Sequence, residues 1–308
     1  MIALMGTRHH LTLGLFALAA CDAAPSKLDA LATRAAATTS PFVLLGAGDP
    51  PRAELRYQLA AQTAAYRAET RLTSRHVGDG GSGPGTALPP IRDGFAITAE
   101  PGDGAHTRLA LRALEATAVG AATLEVGAYL AEWRATLMDR KIAAVVDARG
   151  QLGEVTVAGE ASAIAHDQVV QRMLGTLVPV PAEPVGLGAS WRVQQTLRQG
   201  PATVVQTATY RLVARSATRW TIAIKLQRRG DAQHLDVPEA PPGTVELVDL
   251  FRELEGVVEI DPRQPLPVAG KLVLDSRLHT RVHQDHEPDR EDLADDNGSV
   301  EFLVESMP

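Results

Sequence analysis

From Pro41 onward the chain alternates apolar and polar residues with a period of two, which predicts strands with one dry and one wet face. Leu55, Tyr57 and Leu59 alternate with Glu54, Arg56 and Gln58, predicting a half-buried strand. Tyr66 to Ser74 alternates less cleanly, and Phe95 with Ile97 marks a further strand. Pro101 to Gly104 reads as a hairpin turn, after which Leu109 and Leu111 continue a meander or, in the run Leu109 to Leu114, a helix. Val126, Leu130, Trp133 and Leu137 recur at steps of four, three and four, so they share one face of a helix. Ile142 to Val146 and Leu152 to Val157 predict two strands joined by a turn at Ala148-Arg149-Gly150. A second helix is predicted from Glu160 to Thr176, with Ile164, Val170, Met173, Leu174 and Leu177 apolar and Glu160 at its positive end. Beyond a proline- and glycine-rich break at Val178 to Ser190 the alternation strengthens. Trp191 and Val193 are in phase, as are Trp220, Ile222, Ile224 and Leu226, and Leu272 with Leu274. A segment from Val300 to Val304 completes the set.

The fold class expected is therefore α+β: mainly antiparallel sheet, half-barrel-like, with about two packed helices. The expected organisation is a first α+β half at 41–178, a linker at 179–189 and a β-rich second half at 190–308. The halves share a short string. Val145 to Leu152 and Glu259 to Leu266 both read Asp-x-Arg-x-x-Leu after an apolar strand, so duplication and coincidence both stay open. In either case the aspartate is expected to close its turn with a side-chain hydrogen bond.

The N-terminus changes the picture. Arg8 gives a weakly basic start, and Leu11 to Ala20 is an apolar run too short to span a bilayer about 30 Å thick. Residues 1–20 thus read as a signal peptide. Cys21, the one cysteine of the chain, follows Leu18-Ala19-Ala20 directly. This string resembles the lipobox of bacterial lipoproteins. The resemblance implies cleavage before Cys21, a diacylglycerol on its sulfur, an acylated amine and a lipid anchor in the cell envelope. More than one acyl chain makes such an anchor stable. Asp22 resembles the inner-membrane retention signal of enterobacterial lipoproteins, a rule that differs between bacteria, so inner and outer membrane both stay open. Residues 21–40, rich in Ala, Ser and Thr, read as a tether.

Composition narrows the function. Hydrophobic residues make up 45% and charged residues 22%, an ordinary globular balance. A net charge of −7 provides no footprint for nucleic acid. At 4%, aromatics are too few for a carbohydrate or base-stacking platform.

Motifs for chemistry are incomplete. Gly78-x-Gly80-x-x-Gly83 has the spelling of a dinucleotide fingerprint, but Pro84 and Gly85 follow where a helix would have to start. His279, Arg281, His283 and Asp285 share one strand face, and His279, His283 and Asp285 are candidate metal ligands. The stretch Arg281 to His286 resembles the His-x-His-x-Asp-His motif of metallo-β-lactamase-like hydrolases. It departs at the first ligand, where Arg281 would repel a cation. Asp295 to Ser299 resembles part of a calcium loop, with Leu293 and Val304 where the acidic ends belong, so Asn297-Gly298 is read as a tight hairpin turn. No cofactor motif and no catalytic residue is assigned. The expected architecture resembles the open half-barrels of envelope lipoproteins and lipoprotein carriers of the LolA/LolB type. Two functions stay open: a membrane-anchored, non-catalytic protein binding an apolar ligand or an envelope partner, and an envelope hydrolase.

Overall fold

The computed structural model of the chain describes residues 42–305 except 79–80, 83–85, 103–105, 122–126, 128–129, 132–133, 135–140, 159–176, 200, 238–243 and 284–288. Its elements are β1 (Phe42–Gly46), β2 (Asp49–Ala53), β3 (Gln62–Gly78), β4 (Gly81–Ser82), β5 (Thr86–Ala87), β6 (Ile91–Pro101), β7 (His106–Ala118), β8 (Lys141–Asp147) and β9 (Leu152–Ala158). They continue with β10 (Val185–Leu187), β11 (Ser190–Gln199), β12 (Ala202–Arg215), β13 (Trp220–Gly230), β14 (Gln233–His234), β15 (Val245–Ile260), β16 (Ala269–Val282) and β17 (Arg290–Glu305). Twelve of them form one continuous path, β1-β11-β12-β13-β15-β16-β17-β3-β6-β7-β8-β9, and the two ends of the path do not pair, so the sheet is not closed into a barrel. Every pairing along it is antiparallel.

The antiparallel sheet expected from the alternation is present. The α part of the α+β expectation is not among the described elements. Its two helices fall on 126–137 and 160–176, and of these spans only Gly127, Leu130, Ala131 and Arg134 are described.

Strands follow one another in the same spatial order twice, as β3-β6-β7-β8-β9 and as β11-β12-β13-β15-β16. β17 lies between the two sets, pairing with β16 on one side and β3 on the other. The chain's last strand thereby makes one sheet of both.

That sheet must curve strongly. Tyr57 N–H donates to the Ala148 carbonyl in the β8–β9 turn at 2.8 Å, and its ring meets Trp220 of β13 edge-on at 5.6 Å between centroids. Six strands separate β13 from β8 in the path. Laid flat, that separation is about 34 Å at ~4.8 Å per strand. One residue bridges both because the sheet wraps around it. A single buried cluster accordingly draws Ile97, Leu109 and Ile142 from one set of strands and Trp191, Leu212 and Ile222 from the other.

Leu55 to Leu59 is the first correction. The segment is extended, with Leu55 and Tyr57 buried, but it pairs in no sheet. It is a crosspiece inside the curve. Alternation reports an extended chain with alternate residues buried and does not report who supplies the backbone hydrogen bonds. Here the Asp-x-Arg turns supply them. Tyr57 N–H bonds Ala148 O, and Gln58 N–H bonds Pro262 O at 2.7 Å, so the crosspiece joins the residue after each aspartate. The turns themselves form as expected. Asp147 Oδ1 accepts from the N–H groups of Arg149 and Gln151, both at 2.8 Å, and Asp261 Oδ1 accepts from Arg263 N–H at 2.9 Å. Gly150 closes the first turn at φ 72°, where a Cβ would also lie 2.7 Å from the Tyr57 ring. The segment from Val178 to Ser190, read as a break, contributes Val178, Val180, Val185 and Ala189 to the same buried cluster. The carbonyls of Val178 and Pro179 accept from Tyr57 Oη at 3.0 Å and Trp191 Nε1 at 2.7 Å.

Asn297-Gly298 is the second correction. The pair lies in the middle of β17, with Asn297 opposite Asp275 and Thr73 and Gly298 opposite Leu274 and Leu72. The glycine serves close approach, since a Cβ there would collide with the carbonyl of Arg71.

Candidate functional site

The face of the sheet that encloses the crosspiece is apolar along most of its length, as the phase of Trp220, Ile222, Ile224 and Leu226 requires. A six-strand rung interrupts it. Gln195 of β11, Gln206 of β12, Arg228 of β13, Arg252 of β15, Ser276 of β16 and Asp296 of β17 are successive register partners, each directly opposite the next. Asp296 in turn pairs with Ser74 of β3. The rungs on either side are apolar from β13 to β17, the second continuing to His76 of β3. One runs Ala208, Leu226, Leu254, Leu274, Gly298 and Leu72, and the other includes Leu250, Leu278 and Ala294. A polar line therefore crosses the inner face between two drier ones, and Thr70 of β3 and Asp93 of β6 are further buried polar residues on the same face.

Burial shows that the line is not a solvated rim. Of the seven polar or charged residues buried among those described, Gln206, Arg228, Ser276 and Asp296 all sit on it. Arg228 and Gln206 are each 8% exposed and Asp296 is 1% exposed. Arg228 Nε donates to Gln206 Oε1 at 2.7 Å, and Arg252 Nε donates to Ser276 Oγ at 3.4 Å. Burial pushes the Arg228 guanidinium down to about 9, and the neighbouring Arg252 charge pushes in the same direction. At neutral pH it stays charged. Burial also lowers Arg252, opposed by the Asp296 carboxylate. Burial thus works against the charged form of both arginines, in a place where the flanking rungs hold leucines.

Ser276 accepts from the Arg252 guanidinium and stands directly opposite the Asp296 carboxylate. Two guanidinium groups at opposed positions are suited to an oxyanion.

The metal candidates lie elsewhere. His279 shares the outer-facing parity of β16 with Lys271 and Val273. Its Nε2 is 3.4 Å from Glu291 Oε2. His283 follows the strand, with Nδ1 3.0 Å from Asp289 Oδ2 and Nε2 3.6 Å from Glu246 Oε2. Arg281 stands between them and donates to Glu291 at 2.9 Å and Glu246 at 3.2 Å. That guanidinium holds the Glu291 carboxyl below its usual range. The histidines are brought near carboxylates, but among the described residues no group of three or more His, Cys, Asp or Glu is placed to hold a metal ion. Asp285 and Cys21 lie outside the described residues. A shallow polar cleft of about 230 Å³ beside Trp220 includes Glu54, Arg56 and Arg215, and its Arg56 is already ion-paired to Glu54 at 2.7 Å.

Reading motifs did not find the rung, although its signal was present. Arg228 is in phase with the dry residues Trp220 to Leu226, and Ser276 is in phase with Leu272 and Leu274. A charged residue on the dry parity of a strand is the mark to look for. No family model matches this chain, and neither a curated protein nor a solved structure matches it.

Proposed function

We propose that this is a lipid-anchored protein of a bacterial cell envelope that binds an apolar or amphipathic ligand on the inner face of its curved sheet and performs no chemistry on it. The observation that carries the reading is the inner face itself, which is curved, apolar along most of its length and crossed by a buried polar rung. Recognition sites for small molecules have this composition, mostly apolar with a few placed polar groups. The anchor rests on Leu18-Ala19-Ala20-Cys21.

The test is native mass spectrometry of the full chain extracted from membranes in a neutral detergent. The expected spectrum carries a lipid-mass adduct that is released on collisional activation, beyond the covalent anchor. A spectrum with the anchor alone, from protein that still melts cooperatively, would overturn the ligand reading. The anchor is tested separately. Cys21→Ser should abolish metabolic palmitate labelling, and undiminished labelling would reject it.

A further inference from the structure

Charge is divided unequally over the outer face of the sheet. Ser190 to Gly230, which spans β11, β12 and β13, carries eight arginines and lysines and no aspartate or glutamate, where the chain's average of 37 acidic residues in 308 would place about five. β1, the strand paired to β11 at the end of the path, carries no charge at all. Across the boundary, the outer positions of β15 and β16 hold Glu253, Glu255, Glu259 and Asp275 among their cations. Some of the eight basic residues are already engaged. Lys225 donates to Glu253 and Glu255 at 3.0 and 3.2 Å, Arg229 stacks over Phe251 at 5.2 Å, and Arg228 faces inward. Arg192 and Arg211 are exposed, and no described residue forms a hydrogen bond or ion pair with either side chain. They are diagonal neighbours on one face, since Arg192 is opposite Thr209 and Arg211 lies two residues further along β12. Exposed apolar side chains stand around them. Val43 of β1 is opposite Arg192, Leu45 follows it, and Val213 lies two residues beyond Arg211. The bond from Gly188 N–H to the Leu212 carbonyl brings Leu187 to the same end. These four aliphatic residues are between 39% and 51% exposed. That end also holds Asp49, offset by Arg52 nearby on β2, and Glu54, which is ion-paired to Arg56.

Resting on the proposed lipid anchor, we infer that the outer face at the β1 edge, from Val43 across Arg192 and Arg211 to Val213, lies on the membrane, and that the membrane it fits is rich in anionic lipid. Exposed aliphatic side chains beside exposed guanidiniums complement such a surface: the first enter the head-group boundary and the second meet lipid phosphates. The chain also enters the fold at this edge, because Phe42 begins β1 and Cys21 lies 21 residues before it. A tether that short holds the edge at a high effective concentration over the bilayer, so two arginines and four aliphatic side chains suffice without having to bind unaided. The same surface repels the carboxylates on the outer face of β15 and β16, which gives the molecule one orientation on the membrane.

The experiment is quenching of a single dye on the full chain, reconstituted into vesicles whose head groups carry a nitroxide. Val213→Cys places the dye on the proposed contact, and Val273→Cys places it on the outer face of β16, where the side chain is 58% exposed. In phosphatidylcholine containing one quarter phosphatidylglycerol, position 213 is expected to be quenched at least about twofold more than position 273. The excess should be lost in pure phosphatidylcholine and in about 0.5 M salt. It should also be lost in the Arg192→Gln, Arg211→Gln double variant, since each arginine beside an anionic surface strengthens the contact about fivefold. Equal quenching at the two positions in anionic vesicles would overturn the surface, as would an excess of the same size in neutral vesicles. Energy transfer between dyes at position 213 on neighbouring molecules, insensitive to the arginine changes, would overturn it in favour of a second copy of the chain. The anchor is read separately, by dye uptake on the chain with no added cysteine. Uptake at Cys21 would reject the anchor alone, and the same contrast in the Cys21→Ser chain then decides the surface.

Discussion

Replacing Leu55 by alanine tests whether the crosspiece makes one cooperative unit of the sheet. Leu55 is 1% exposed and sits in the cluster that contains Ile97 and Ile142 on one side and Trp191 and Ile222 on the other. A buried Leu→Ala change costs about 3 kcal/mol, including the cavity it leaves. The backbone around it is fixed at both turns by the Tyr57 and Gln58 N–H bonds, which restrains collapse into the cavity and keeps the cost from falling far below that figure. A chain of this size has a urea m-value of about 3 kcal/mol/M, so the midpoint should drop by about 1 M. The assay is urea unfolding of the full chain followed by far-ultraviolet circular dichroism and by tryptophan fluorescence, with Trp133 replaced by phenylalanine so that emission comes from Trp191 and Trp220. Those tryptophans lie over 130 residues downstream of the substitution. With one core, both signals move together by the same amount. A dichroism curve that splits into two steps, with the tryptophan transition unmoved, would refute the shared core and restore two independently folding halves.

Two further outcomes follow from single contacts. Gly298→Ala should lower stability by about 1–3 kcal/mol, because the added Cβ meets the Arg71 carbonyl within a paired strand, and a melting temperature equal to wild type would contradict the close approach. The Arg263 guanidinium beside Asp261, bonded at 2.6 Å, holds that carboxyl below the ordinary carboxylate range. Its stabilisation is therefore fully present above the unfolded value of about 3.9 and is lost as pH falls through the lower folded value. Asp261→Asn should cost about 1–2 kcal/mol at pH 7 and flatten the acid side of the stability profile, and parallel urea-midpoint profiles for variant and wild type from pH 2 to 6 would contradict this.

Much of the sheet was legible in the chain because period two is a local property. Trp220 to Leu226, Ile142 to Val146, and the turn role of Asp147 and Asp261 all depend on residues a few positions apart. Leu55 to Leu59 shows the limit: its alternation was real, but its partners are turns at Ala148 and Pro262, which no local pattern names. Asn297-Gly298 failed for a related reason. The dipeptide favours a turn in isolation, and its actual surroundings, Leu274 on one side and Leu72 on the other, come from distant parts of the chain. The rung combines both cases. The misplaced phase of Arg228 and Ser276 can be read strand by strand, but only the register of six strands turns Gln195, Gln206, Arg228, Arg252, Ser276 and Asp296 into one line.

The central claim is that the ligand occupies the inner face beside that rung, and site-specific photocrosslinking measures this most directly. Benzoylphenylalanine at Leu254 lies on the inner face one rung from Arg252, and at Glu255 it lies on the outer face of the same strand. After irradiation of membranes containing the full chain, the account predicts a lipid-mass adduct from position 254 and none from position 255. Equal labelling at both positions, or labelling at 255 alone, would contradict it.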